Sequence, residues 1–335
     1  MIKNTPYIIA EIGINHEGRV SKAKKLIYAA KRSNADAVKF QVFKPETLAR
    51  EHLKKSFQQK KYISKKISLA KMWKKMSLNY FELQSLKKLS ESLKIDFICS
   101  VFDKESLEKV LKLNIKTIKV ASSDITDLHL LNLIKKSKKK VILSTGLSNE
   151  LEIRRALKIL GKQTTILHCV SSYPCPVEKA NLNRIISLKD KFNINVGYSD
   201  HTIGNNACYL ALMLGAKVVE KHFTTNKNLK GADHMLSADE KDLTELVQFA
   251  KNMVKFLGKG QIKPSKFETK NKHLFRKGLY YSDNLNINNK IKIQDIAFAR
   301  PETKFKTINY KKILGKKLNK NVNKFEEINI KDFIK

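Results

Sequence analysis

The stretch KVILSTGLSNELEIRRALKILGKQTTILHCV, residues 140–170, contains the repeating unit that decides the fold. An apolar run at 140–145 is followed by an amphipathic stretch at 149–160 and by a second apolar run at 164–170. Asn149 stands where a helix would need a capping residue. The order strand, helix, strand predicts two parallel strands joined by a crossover helix.

The same unit recurs along most of the chain. The predicted strands are Tyr7–Gly13, Ala35–Val42, Ile95–Val101, Thr117–Ala121, Lys140–Thr145, Thr164–Val170, Ile194–Ser199 and Ala216–Phe223. The predicted helices between them include Ser21–Arg32, Phe81–Leu93, Lys104–Leu113, Asn149–Leu160 and Asn205–Leu214. Eight strands within roughly 240 residues match a closed barrel, which uses about 250 residues, better than an open sheet. The sequence therefore predicts an α/β protein with a (β/α)8, or TIM, barrel.

Two regions depart from this repeat. The connection from Phe43 to Asn79 is too long for a simple loop, and a helical piece is expected around Ser68–Met76, where it could form a lid or a contact surface. After about Gly258 the apolar runs become short and no longer alternate with long helices. We therefore expect a catalytic barrel at residues 1–260, a linker at 261–275 and a small second domain at 276–335.

The formal net charge of +36 invites a nucleic-acid interpretation. The excess is mostly lysine spread along the whole chain, without an arginine cluster, a Cys/His finger or an aromatic RNA-binding signature. Such dispersion is typical of a solvated surface, which could attract an anionic substrate. A nucleic-acid partner is therefore not expected, and a basic nucleic-acid binder or a non-catalytic barrel remains the alternative of another class.

The remaining composition points to the cytoplasm. Four cysteines, Cys99, Cys169, Cys175 and Cys208, form no CxxC pair and are expected to be reduced and buried. No apolar run approaches the roughly 20 residues that a membrane helix needs, and the N-terminus lacks the layout of a signal peptide. We expect a cytoplasmic protein with no membrane partner.

Polar residues end nearly every predicted strand, and in barrels of this kind the chemistry lies at those ends. A lone serine there usually caps the next helix, and a lone histidine is more often structural. A barrel brings all the strand ends to one mouth, so their convergence carries the argument. These residues are Glu11, Asn15, His16, Lys39, Gln41, Ser100, Lys119, Ser122, Asp124, Ser144, Thr145, His168, Ser171, Tyr173, Ser199, Asp200, His201, Glu220 and His222.

Two lysines lie inside apolar strand runs. Lys39 and Gln41 share one face of their strand, and Lys119 lies between Ile118 and Val120. Buried lysines are costly unless they are paired or used. They suit a bound phosphate or carboxylate, and a Schiff-base lysine is the competing interpretation.

Two histidines, His201 and His222, end neighbouring predicted strands. Neutral imidazoles on adjacent strands can share a divalent metal, with water and a substrate oxygen completing the ligand shell. The alternative is that one of the two is a hydrogen-bonded core histidine.

Eight short segments share the order and spacing of a known family: AEIGINH at 10–16, VKFQ at 38–41, IKVAS at 118–122, LSTG at 143–146, HC at 168–169, YP at 173–174, GYSDHT at 197–202 and EKHF at 220–223. With these segments the chain resembles the sialic acid synthases, which condense phosphoenolpyruvate with a hexosamine to make nine-carbon 2-keto acids. The order and spacing make the resemblance specific, and it covers essentially the whole chain. The tail resembles the family's antifreeze-like (SAF) domain, with FARP at 298–301 as the matching segment.

The resemblance implies roles for individual residues. His201 and His222 would be the metal ligands, usually for Mn²⁺, with Mg²⁺ or Co²⁺ as other options. Glu11 would lie close to the metal-bound water. Arg300 would reach the active site of a second copy in a domain-swapped homodimer. The residues implied for phosphoenolpyruvate are Lys39, Gln41, Ser100, Lys119, Ser122, Ser144 and Ser199, and those implied for the sugar side are Ser171, Tyr173 and Asp233.

The sequence departs from the family pattern at positions that face the substrates. Ser100 stands where some members have Thr, Ser171 where the neuraminate enzyme has Asn, and Asp124 where Glu is common. The first expectation is a sialic acid synthase that uses N-acetylmannosamine. Legionaminic or pseudaminic acid synthase, with a different hexosamine, and a synthase that uses another aldose are the alternatives.

Overall fold

The computed structural model describes residues 5–48, 68–231 and 233–334. The chain forms two compact units, Met1–Gly258 and Lys259–Lys335.

The first unit is a closed barrel of eight parallel strands that pair in sequence order, with β8 returning to β1. This confirms the predicted (β/α)8 barrel. The strands are β1 Tyr7–Gly13, β2 Ala37–Val42, β3 Asp96–Val101, β4 Thr117–Val120, β5 Lys140–Ser144, β6 Thr165–Cys169, β7 Val196–Asp200 and β8 Val218–His222.

Helices follow the strands in the expected alternation. Asn149 accepts a hydrogen bond from the backbone N–H of Glu152 and begins its helix with a capping box, as its position in the sequence predicts. The helices are α1 Val20–Arg32, α2 Pro45–Leu48, α3 Leu69–Met76, α4 Tyr80–Ser92, α5 Lys104–Lys112, α6 Leu128–Lys136, α7 Glu150–Leu160, α8 Arg184–Phe192, α9 Asn206–Met213 and α10 Glu240–Leu257. Helix α3 begins after its capping residue Ser68 and is the helical piece expected in the long connection after β2.

Period-two alternation arranges the inside of the barrel in layers. Inward side chains at the lower level are apolar and form one cluster: Ile9, Ala37, Ile98, Ile142, Leu167 and Val218. Two residues further along each of these strands stand Glu11, Lys39, Ser100, Ser144, Cys169 and Glu220. Apolar side chains therefore fill the lower level of the barrel interior, and polar and charged side chains line the level above it, at the mouth. The alternate residues, such as Val38 and Phe40, pack outward against the helices in the main core.

The second unit contains α11 Lys266–Phe275 and the antiparallel pair β9 Gly278–Tyr281 and β10 Ile296–Ala299. Helix α11 lies within the segment expected to be a linker. A small core around Leu279, Tyr281 and Ile313 holds this unit together. In the described part of the chain, no helix has the length and apolar character that crossing a membrane requires.

Candidate active site

A cavity of about 500 Å³ opens at the C-terminal ends of the barrel strands. It brings together all but one of the residues to which the family resemblance assigns a role: Glu11, Lys39, Gln41, Ser100, Lys119, Ser122, Ser144, Ser171, Tyr173, Ser199, His201, His222 and Asp233. The remaining one, Arg300, is exposed just after β10 in the second unit.

Lys39 lies at one side of the cavity floor and is almost completely buried. Its Nζ lies 2.6 Å from Oε2 of Glu11 and donates to Oγ of Ser100 at 3.0 Å. Gln41, two residues further along β2, donates to the other oxygen of Glu11 at 3.0 Å. The amine is therefore charged, paired and aimed at the space where an anion would lie.

Lys119 forms the other side of the floor. Its Nζ donates to Oγ of Ser144 at 2.7 Å. Oε1 of Glu220 lies 3.9 Å from this amine and 3.7 Å from the amine of Lys39, and it accepts a hydrogen bond from Ser199 at 2.9 Å. One buried carboxylate thus stands between two buried ammonium groups.

The environments of the two carboxylates push their pKa values apart. Burial raises the pKa of Glu11, and the neighbouring Lys39 only partly offsets it. Burial also acts to raise the pKa of Glu220, but the charges of Lys119 and Lys39 outweigh it and hold the pKa below its ordinary value. Glu220 therefore favours the ionised form more than an ordinary glutamate does, while Glu11 holds a proton more readily. Carboxylates separated in this way are typical of acid and base pairs.

Glu220 belongs to the site although the sequence interpretation placed it only among the strand ends. The signal that could have found it is the period of β8, since Val218, Glu220 and His222 all point into the barrel. What the sequence could not supply is the distance from Glu220 to lysines on β2 and β4.

The two histidines lie at the edge of the floor with ring centroids 5.4 Å apart. Nδ1 of His201 lies 2.7 Å from the carbonyl oxygen of Val170, which can only accept, so Nδ1 carries the proton and Nε2 is left as the ligating nitrogen. The ring of Tyr173 packs 4.0 Å from that of His201.

His222 has a buried ring nitrogen that could bind a ligand. Its Nδ1 is buried and has no hydrogen-bond partner among the described residues, and Oδ2 of Asp233 lies 3.5 Å away. Burial, followed by the charge of His201, lowers the pKa of His222. The described residues contain no group of three or more metal-ligating side chains. The two imidazoles fit an open metal site in which water and substrate oxygens supply the other ligands.

Several polar strand-end residues lie outside this cavity, because alternation turns them toward the helices. Nε2 of His168 bonds the backbone oxygen of Ala180 at 2.7 Å. Asp200 pairs with Lys221 at 2.7 Å, and both side chains are fully buried behind the strands. These groups are structural, as is expected of most isolated strand-end polar residues.

A set of apolar side chains also lines the cavity. These side chains come from connections and not from strands, which is why sequence periodicity did not indicate them. They are Ile14, Leu48, Leu69, Met72, Trp73, Phe102 and Leu147.

Comparison with known proteins identifies the family. The family model for NeuB matches residues 26–262. The chain belongs to the NeuB family. It is 38% identical to the N,N'-diacetyllegionaminic acid synthase of Campylobacter jejuni, over 96% of this chain and 98% of that protein. It is 36% identical to the protein of the same name from Legionella pneumophila, over 95% of this chain and 92% of that protein.

A solved structure agrees with this assignment. The N-acetylneuraminic acid (sialic acid) synthetase from Leptospira borgpetersenii, in complex with citrate, superimposes with a TM-score of 0.72 and 34% identity. The match covers 80% of this chain and 90% of that chain. The NeuB synthases condense phosphoenolpyruvate with a sugar, so the chain is assigned to an enzyme family of carbohydrate biosynthesis.

Proposed function

We propose that this NeuB chain condenses phosphoenolpyruvate with an N,N'-diacetylated hexosamine, giving a nine-carbon 2-keto acid of the legionaminic type and phosphate. The observation that carries the reaction is the floor of two buried lysines and Glu220 beside the histidine pair. The choice of sugar departs from the first expectation, N-acetylmannosamine. It is supported by the relatives named N,N'-diacetyllegionaminic acid synthase, which cover nearly the whole chain.

Phosphoenolpyruvate would lie on the floor. Its phosphate and carboxylate need a cationic, water-poor pocket, and Lys39 and Lys119 are buried and already oriented by Ser100 and Ser144. Such groups stabilise developing charge without having to reorganise during the reaction. The charge of Glu220 favours the ammonium form of both lysines, and in Lys119 it opposes the burial that lowers the pKa of that amine.

His201 and His222 would hold a divalent metal, Mn²⁺ in the first instance. When bound, the metal would polarise the aldehyde oxygen of the open-chain sugar. The hydrogen bond from His201 to the Val170 carbonyl holds that ring in the required tautomer. Asp233 would orient the sugar beside the pair.

In the reaction, C3 of phosphoenolpyruvate attacks the aldehyde carbon: a new carbon–carbon bond forms, the π bond of the aldehyde breaks, and its oxygen takes up a proton to become a hydroxyl. The positive centre left at C2 takes up water, and the tetrahedral intermediate then expels phosphate. Glu11 can accept the proton from that water because its pKa is raised by burial and it lies at the floor beside Lys39.

The second unit is proposed to be the antifreeze-like domain, and Arg300 of a second copy is proposed to complete the site in a homodimer. The test mixes an Arg300→Ala protein with a Lys119→Ala protein under conditions that exchange subunits. Activity of the mixture above that of either variant alone supports action between subunits. The absence of such recovery argues for action within one chain.

The reaction itself is tested with the purified protein, phosphoenolpyruvate and Mn²⁺. N-acetylmannosamine and its 4-acetamido-4-deoxy derivative, the 2,4-diacetamido sugar, are supplied in parallel. Phosphate release and the mass of the keto acid are measured. Faster turnover of the diacetamido sugar is expected, and failure of both sugars to release phosphate would refute the proposed reaction.

A further inference from the structure

We infer that an apolar wall on one side of the cavity binds the second acetamido group of the sugar and sets the specificity of the enzyme. The apolar wall consists of Leu48, Leu69, Met72, Trp73 and Phe102. The inference rests on the proposed function, because the wall is interpreted as part of the sugar site.

The wall is built by the long connection after β2 and by the residue that follows β3. Leu69 and Met72 of α3 are buried, and Trp73 packs against them. The Trp73 ring also meets the ring of Phe43 edge-on, with centroids 5.2 Å apart. Since Phe43 follows β2 directly and is almost fully buried, the indole is anchored on the barrel. This packing makes Trp73 a fixed surface.

The position of the wall matches the far end of the substrate. His201 follows β7 directly, and in the closed strand order β7 lies across the barrel from β3, which is followed by Phe102. A sugar whose aldehyde lies at the histidine pair, and whose chain crosses the mouth, brings its distal carbons to the wall. The substituent on C4 is then a group that the wall can contact.

The chemistry of the wall favours an acetamido group over a hydroxyl. Every side chain in it is a hydrocarbon, a thioether or an indole, so a hydroxyl pressed against it would lose hydrogen bonds to water and find at most the indole N–H in their place. The methyl of an acetamido group gains by leaving water, and an indole offers both an apolar ring and one N–H donor for an amide oxygen. A diacetylated sugar therefore suits the wall better than N-acetylmannosamine.

A further apolar side chain, Leu147, lies at the rim of the cavity. Leu147 lines the same cavity, yet its side chain is 79% exposed and its backbone has a φ of 60°. A leucine is strained in the left-handed region, and such strain is found at ligand sites when the surroundings impose it. Leu147 places a second uncovered apolar group at the mouth.

A binding experiment can test the wall without turnover, because Trp73 is the only tryptophan in the chain. The probes are the alditols obtained by reducing the two sugars, which keep the substituents but lack the reactive aldehyde. Intrinsic fluorescence of the full-length protein is titrated with each alditol in the presence of Mn²⁺. We expect the diacetamido alditol to change the emission and to bind roughly 10-fold or more tightly than the monoacetamido alditol, the discrimination typical of one alkyl-sized group.

Matched variants locate the effect. Met72→Ala removes a wall residue but keeps the reporter, and it is expected to weaken the diacetamido alditol roughly 10-fold while leaving the monoacetamido alditol unchanged. Met76→Ala is the control, because Met76 packs on the same helix cluster without lining the cavity. Trp73→Phe, followed by calorimetry, covers the case in which Met72→Ala does not fold. Its loss of affinity should also be confined to the diacetamido alditol.

The outcomes separate the two proposals. Equal affinity of the two alditols, or equal effects of Met72→Ala and Met76→Ala, refutes the inference that the apolar wall binds the second acetamido group. This holds even if the enzyme makes a keto acid. Selective binding without phosphate release from either sugar supports the wall and refutes the proposed reaction. Turnover of the diacetamido sugar with no change in Trp73 emission on binding its alditol also refutes this inference, because the second acetamido group must then lie elsewhere.

Discussion

Replacing Lys221 by methionine should destabilise the barrel by several kcal/mol, because it leaves the buried carboxylate of Asp200 without its cationic partner. The ammonium of Lys221 lies 2.7 Å from Oδ2 of Asp200 and donates to the backbone oxygen of Thr202 at 2.6 Å. Both side chains of the pair are fully buried. Without the amine, Asp200 keeps only neutral donors, among them the hydroxyl of Tyr198 and the thiol of Cys208.

The size of the loss in folding free energy can be worked out from the least costly response of the folded variant, which is to protonate the unpaired carboxylate of Asp200. An unfolded aspartate has a pKa of about 3.9, and each pH unit above it costs about 1.4 kcal/mol to keep the proton. The cost at pH 7 is therefore about 4 kcal/mol, in line with the roughly 3–5 kcal/mol measured when one partner of a buried ion pair is removed.

The pH dependence has a definite sign. In the native chain burial would raise the pKa of Asp200, but Lys221 holds it below the ordinary value. The pair therefore stabilises the fold above the pKa of the unfolded carboxyl, and this stabilisation is lost as the pH falls through the folded pKa. In the variant Asp200 must take up a proton, and this costs less as the pH approaches the pKa of the unfolded carboxyl. The loss of stability should therefore shrink to about 1.5 kcal/mol at pH 5.

Urea unfolding followed by circular dichroism at pH 7 and pH 5 measures both values. Lys241→Met, at an exposed position on α10, is the control and should change stability by less than about 0.5 kcal/mol. The double variant Asp200→Asn, Lys221→Met should recover at least half of the loss, because no buried charge remains. A loss below about 1 kcal/mol at pH 7, or the same loss at both pH values, would refute the reasoning.

Three further predictions concern the active site. Glu220→Gln should lower kcat/KM for phosphoenolpyruvate about 100-fold, because the two lysines lose the charge that stands between them, and an unchanged kcat/KM would contradict its proposed role. In Gly146→Ala the new Cβ would lie 2.8 Å from Oγ of Ser122, so KM for phosphoenolpyruvate should rise about 10-fold in steady-state assays, and an unchanged KM would show that this serine does not position phosphoenolpyruvate. His222→Ala should weaken Mn²⁺ binding at least about 10-fold, as measured by calorimetry. His129→Ala, at an exposed position on α6, is the control and should leave Mn²⁺ binding unchanged. Equal Mn²⁺ affinities of the two variants would show that His222 is not a metal ligand.

Much of the site could be predicted because its geometry is local to each strand. Apolar runs that alternate with helical patterns determine a parallel barrel, and a barrel gathers its strand ends at one mouth. Lys39 and Lys119 stood out because each interrupts an apolar run. Their inward direction follows from a period of two residues, which sequence alone expresses.

Tertiary structure decided the relations between strands. Glu220 became a central residue only when β8 was placed within reach of lysines on β2 and β4. His168, equally prominent in the sequence, turned out to face the helices.

The apolar wall shows the same division most clearly. Trp73 lies in a connection without strand periodicity, and its place in the cavity depends on α3 packing back against Phe43. The sequence by itself determined the barrel and the inward lysines and histidines, because these depend on neighbours along the chain. Only the tertiary structure decided which charges pair, which pKa values shift and which apolar side chains face the substrate, because these depend on distances between residues far apart in the chain.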